Sequence, residues 1–171
     1  MDVRRVPPGV VPIVPGPGQE SVWDYPRPPR VEPVAARIRV VVDGRPLADT
    51  ERALRVVETA GAPVYYVPIA DVDSTRLRPA ARTTVCEWKG AASYLDYVDG
   101  DHRIPTIGWT YPDPNPDYLA IRDHVAFYAG LVDEAWVGGD RATAQPGGFY
   151  GGWVTPAIVG PIKGEPGSFG W

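Results

Sequence analysis

An alternation of apolar and polar positions with a period of two runs through the middle of the chain. In Arg37-Ile38-Arg39-Val40-Val41-Val42 the apolar Ile38, Val40 and Val42 face one way, and the Asp43-Gly44 pair behind them is a strong hairpin-turn signal. The spacing predicts a hairpin that opens the folded region, with Leu47-Ala48 on its return strand. Thr50, Glu51 and Arg52 predict one helical turn before residues 54–59 extend again. Residues 64–67, 83–89, 93–98, 107–111, 125–128 and 135–137 are further predicted strands, rich in β-branched and aromatic side chains. One short helix is predicted, with Asn115 as its cap, Pro116 at its first position, Asp117 complementing its dipole and residues 118–123 continuing it. Many short strands divided by turn residues predict a mainly β, single compact sandwich or barrel-like domain of antiparallel strands.

The ends of the chain read differently. Nine of the 21 prolines fall in residues 1–33, too dense a run for a strand ladder, so this segment is expected to be an irregular arm. Eight of the 19 glycines fall in residues 146–171, interleaved with Phe149, Tyr150, Trp153, Phe169 and Trp171. Five aromatics are too much apolar surface for a flexible linker, so a tail over 139–171 is expected to pack on a core of residues 34–138. The tail holds a loose echo, Pro146-Gly-Gly-Phe149 against Pro166-Gly-Ser-Phe169, consistent with two similar docking events.

Composition then narrows the function. A chain of 171 residues can bury a sizeable core without staples, and its one cysteine, Cys86, excludes an internal disulfide or a multi-cysteine zinc site. A net charge of -4 without a long basic run argues against nucleic acid as a partner. No stretch approaches the roughly 20 apolar residues of a membrane helix. The apolar run over 10–14 is broken by Pro12 and followed by Pro15, so no secretory core is expected and a cytoplasmic setting is. With two histidines, His102 and His124, and no phosphate-loop spacing, neither a metal nor a cofactor is expected.

The lysines are more informative. Fifteen of the seventeen basic residues are arginines, and the two lysines, Lys89 and Lys163, each precede a glycine. If 83–89 is a strand, Cys86 and Trp88 share one face while Glu87 and Lys89 share the other; Lys89 then faces either solvent or a pocket that Gly90 lets a ligand approach. Glu58 is also unusual. On an extended 54–59 it shares the apolar face of Leu54 and Val56, so it is either a strand-end carboxylate in water or a partnered one, with Lys89, an arginine or the hydroxyls of Tyr65, Tyr66 and Tyr94 in range. Cys86 is read first as a small core residue and second as a nucleophile with His102 or His124 as its base.

At this point a resemblance appears. The strings Ala53-Leu54-Arg55-Val56-Val57-Glu58, Pro63-Val64-Tyr65-Tyr66-Val67-Pro68, Cys86-Glu-Trp-Lys89-Gly90-Ala-Ala-Ser-Tyr94, Trp109-Thr-Tyr111-Pro112-Asp-Pro114 and Val125-Ala-Phe127-Tyr128 resemble the bacterial and fungal family catalogued as domain of unknown function 427. The likeness spans residues 34–138. It implies a compact β domain similar to tent-like zinc-binding folds, here without their cysteine ligands. The family is sometimes labelled nucleotidyltransferase-like, yet the Gly-Ser and paired-aspartate pattern of ordinary nucleotidyltransferases is absent from this chain.

The expected function is a small-molecule-binding β domain. Tyr66, Tyr94, Trp109 and Tyr111 would line its pocket, and Lys89 and Glu58 would orient the ligand. One alternative is a transferase- or hydrolase-like enzyme in the same pocket, with Glu58 or His124 as general base and Lys89 as electrostatic stabiliser or amine nucleophile. The other is a structural module that forms a homodimer through the tail.

Overall fold

The computed structural model describes residues 6–171. Its strands in chain order are β1 Glu20–Ser21, β2 Arg30–Pro33, β3 Ile38–Val42, β4 Arg45–Thr50, β5 Leu54–Val57, β6 Val64–Pro68, β7 Leu77–Cys86 and β8 Gly90–Asp99. They continue as β9 His102–Thr110, β10 His124–Phe127, β11 Glu134–Val137, β12 Asp140–Arg141, β13 Thr143–Ala144, β14 Trp153–Val154 and β15 Ile158–Val159. The mainly β class read from the alternation is the class the chain adopts.

A seven-stranded antiparallel sheet in the order β2-β5-β6-β10-β9-β8-β7 faces a four-stranded one in the order β12-β11-β3-β4. The large sheet ends at β2 and β7 and does not close, so the barrel-like form is set aside while a tent of two sheets is kept. The period of two divides each strand of the large sheet between two cores. Tyr65, Val67, Val125 and Phe127 join Ile38, Val40, Val42 and Leu47 in the core between the sheets. The alternate residues Tyr66 and Ala126 join Tyr94, Trp109 and Tyr111 in a second cluster on the opposite face. Strand β9 would place Ile107 and Trp109 on one side, yet they belong to different clusters. A bulge resolves this, because β9 fits two more residues than β8 between the pairs Leu95–Gly108 and Tyr97–Ile104. Thr106 turns in that bulge at φ 49°, with its N–H donated to Asp96.

Both chain ends pack on this frame and on each other. The arm contributes Val22, Trp23 and Tyr25 and the tail Ile158 to a third cluster. Strand β1 pairs in parallel with β15, the Trp23 indole N–H donates to the Pro161 carbonyl at 3.0 Å, and its ring lies 5.5 Å from that of Trp171. Further along the tail, the buried Trp153 donates its indole N–H to the Phe127 carbonyl at 2.8 Å.

Several local expectations are corrected. Residues 30–33, placed in an irregular arm, form β2 at the sheet edge, where a proline costs no ladder bond on the open side. Thr50 to Arg52 make no helical turn; the Thr50 hydroxyl accepts the Arg52 N–H and donates to Asp71 instead. Strand β5 stops at Val57. The predicted helix is a 3-10 segment, Pro116–Ile121, kinked at Tyr118; Asn115 supplies no side-chain cap to it, and its side-chain N–H donates to the Trp88 carbonyl instead.

Candidate functional site

The most informative correction concerns the strand predicted over 83–89. Strand β7 ends at Cys86, and Glu87, Trp88 and Lys89 form the turn of the β7–β8 hairpin. Gly90 opens β8 at φ 105°, a conformation that side chains other than glycine rarely adopt. Asn115 clamps the turn from outside. Its backbone N–H donates to the Lys89 carbonyl at 2.9 Å and its side-chain amide to the Trp88 carbonyl at 2.8 Å. Lys89 is therefore aimed by turn geometry, not by strand alternation, and its Nζ stands 5.7 Å from the centre of the Tyr111 ring.

That ring belongs to an aromatic floor built by cross-strand register. Tyr94 on β8 lies opposite Trp109 on β9, with ring centres 6.5 Å apart. Tyr128, just beyond β10, packs tilted against Trp109 with ring centres 4.6 Å apart, and Tyr66 on β6 lies 6.4 Å from Tyr111. The Tyr94 hydroxyl shares a 3.1 Å hydrogen bond with Thr84 of the neighbouring strand. Burial pushes the Tyr66 and Tyr111 phenols well above the ordinary tyrosine range, opposed at Tyr66 by a hydrogen bond with Trp109. Burial also raises Tyr128, helped by its hydrogen bond with Tyr94 and opposed by the charge of Arg82. At neutral pH these phenols are uncharged.

The tail supplies the far wall. Gly151 lies so close over Trp109 that a Cβ there would collide with the indole, and a Cβ at Gly152 would strike Gln145 and the Ala62 carbonyl. Gln145 is buried; its Oε1 accepts the Ala62 N–H at 3.1 Å and its Nε2 donates to the Lys163 carbonyl at 2.8 Å. Lys163 in turn places Nζ 5.4 Å from the Tyr150 ring and donates it to the Trp171 carbonyl at 3.0 Å.

Floor and wall enclose a cleft of about 290 Å³. Glu58, Tyr66, Lys89, Tyr94, Trp109 and Tyr111, singled out from the sequence, all line it. Glu58 sits past the end of β5, half-exposed, with its carboxylate 3.8 Å from Arg27, so its partner is an arginine and not Lys89. His124 is not among the lining residues. It starts β10 opposite Pro68, its Nδ1 2.7 Å from the Arg122 carbonyl. Cys86 does line the cleft, but His102 is held by Asp43 at the β8–β9 turn, so neither histidine is brought to the thiol as a base. Sequence reasoning missed Gln145, Tyr150 and Lys163 as lining residues. For Lys163 a signal existed, since both lysines of an arginine-rich chain line this one cleft.

Among the described residues no helix is long and apolar enough to cross a membrane, and no three His, Cys, Asp or Glu side chains gather as metal ligands. Comparison with curated proteins finds no significant match. Residues 30–138, from β2 to β11, match the family described as a domain of unknown function, DUF427, and the chain belongs to that family.

Proposed function

We propose that the cleft binds a small anion with a flat, apolar body. A floor of tyrosines and a tryptophan would by itself suit a cationic guest as well as a flat neutral one. The protein's own cations decide between them. Both lysines of the lining face its rings, Lys89 over Tyr111 and Lys163 over Tyr150. A guest cation about 5 Å from one of these would be repelled by about 3 kcal/mol at an effective dielectric of about 20, whereas an anion gains a similar amount. Glu58, the one carboxylate of the lining, is already offset by Arg27. The neutral phenols add hydrogen-bond donors for an anionic group.

The observation that carries this reading is that Lys89 enters the cleft with no carboxylate and no hydrogen-bond acceptor of its own among the described residues. A charge left without a partner beside a buried aromatic floor is poised for a charge that arrives from outside. The volume matches the low end of small-molecule sites, roughly 300 Å³. The test is a thermal-shift titration with a flat monoanion, stilbene monosulfonate, on the wild-type chain and on Lys89→Ala. The expected outcome is stabilisation of the wild type, lost in the variant while its own melting temperature stays unchanged. Equal stabilisation of both proteins, or none of either, would overturn the reading. Native mass spectrometry of the purified chain provides an independent check, with a retained anionic compound expected.

A further inference from the structure

A second recess, of about 550 Å³, adjoins the cleft and shares Tyr128, Gln145, Phe149 and Tyr150 with it. Arg82 stands at its edge, with Cζ 4.6 Å from the Tyr94 ring centre. Phe149 and Tyr150 meet edge to face at 5.1 Å and form the strap between the two spaces. Phe149 is 68% exposed, so the strap is a thin divider rather than part of the core.

Pairing of the basic side chains sets Arg82 and Lys89 apart. Ten of the described arginines form ion pairs with carboxylates, from Arg27 to Arg122. Arg78 and Arg141 donate to backbone carbonyls, and Lys163 donates to that of Trp171. Among the described residues Arg82 and Lys89 alone have neither kind of partner, and each lies over a tyrosine ring of the same aromatic floor. Strand β7 separates them, since Arg82 and Cys86 at the Lys89 end are about 13 Å apart at ~3.3 Å per residue.

We infer that cleft and recess form one two-part site for an elongated dianion. This rests on the reading of the cleft as an anion site. The flat body lies along Trp109 and Tyr128, one anionic group reaches Lys89, and the other passes the Phe149–Tyr150 strap to Arg82. The recess then has a defined role: it selects length and a second charge. An arginine suits that end because its planar fork takes an oxyanion with two parallel hydrogen bonds.

The experiment is calorimetric titration of the full chain with stilbene monosulfonate and with a stilbene disulfonate that carries one sulfonate at each end. The disulfonate is expected to bind the wild type about tenfold more tightly or better, the worth of one charge-assisted contact. Arg82→Gln should erase that advantage while leaving monosulfonate affinity within about twofold, and Lys89→Ala should weaken both compounds. Arg82 is exposed, and an unchanged melting temperature of the variant shows that the fold is intact. If the disulfonate binds wild type and Arg82→Gln alike, or no better than the monosulfonate, the two-part site is wrong while the cleft reading stands. If neither compound binds the wild type, both fail.

Discussion

Two of the places where a cation lies over a tyrosine ring in this protein have opposite surroundings. Near the β3–β4 turn, Arg76 lies 5.6 Å from the Tyr97 ring and is almost fully buried. Four of its five N–H groups are used: it donates to the Val42 and Pro46 carbonyls, to the Tyr97 hydroxyl and to Asp73. Tyr97 donates its own hydroxyl to Asp43 at 2.8 Å, and Asp43 also holds His102. At the cleft, Lys89 and Arg82 make the same ring contact and, among the described residues, no hydrogen bond or ion pair. A buried cation whose donors are nearly all used within the protein is structural, because protein acceptors have replaced its water. A cation that keeps its donors free beside a cleft retains them for a ligand.

The comparison can be broken most directly at Arg76. Arg76→Ala leaves two buried carbonyls and the Tyr97 hydroxyl short of a donor and is expected to cost about 3 kcal/mol in urea unfolding. A loss under about 1 kcal/mol would mean that its network is incidental. Next in size is Gly151→Ala, which drives a methyl group into the Trp109 ring; a loss of about 1–3 kcal/mol is expected, together with weaker anion binding. An unchanged melting temperature there would show that the tail does not seat on the floor of the cleft.

The phenols sharpen the contrast through pH. Tyr66 and Tyr111 are raised above the ordinary value of 10.0, chiefly by burial. Their contribution to stability is complete below pH 10.0 and is lost as pH rises from there toward the raised values, because only the unfolded chain releases these protons. The expected decline is about 1.4 kcal/mol per pH unit for each phenol. Unfolding free energies measured at about pH 9 and about pH 11 check it; equal values would mean that the floor is open to water. The smallest effect is expected for Lys89→Ala, within about 0.5 kcal/mol of wild type, since no native contact of the ammonium is lost except that with the Tyr111 ring.

How much of this was legible beforehand differs by element. The hairpin at Asp43-Gly44 and the strands holding Tyr65, Tyr66 and Val125 to Phe127 were readable because alternation and turn chemistry are local properties. The bulge at Thr106, which sends Ile107 and Trp109 to different cores, was not, since register between two strands leaves no mark on either one alone. Glu58 was legible as unusual, but its partner Arg27 was not, because that pairing depends on how the arm folds back. His124 was chosen for its chemistry alone, and its position opposite Pro68 takes it out of the cleft.

By itself the sequence determined a mainly β chain and the aromatic residues of the floor, because side-chain alternation and β-branched or aromatic content act over a few residues. It also marked both lysines as exceptions. Only the tertiary structure decided that Lys89 points from a turn clamped by Asn115, that Gly151 and Lys163 close the same cleft from the tail, and that Arg82 and Lys89 have no hydrogen-bond or ion-pair partner among the described residues. Those facts depend on which distant backbones come within hydrogen-bonding reach, and that is settled by packing the whole chain at once.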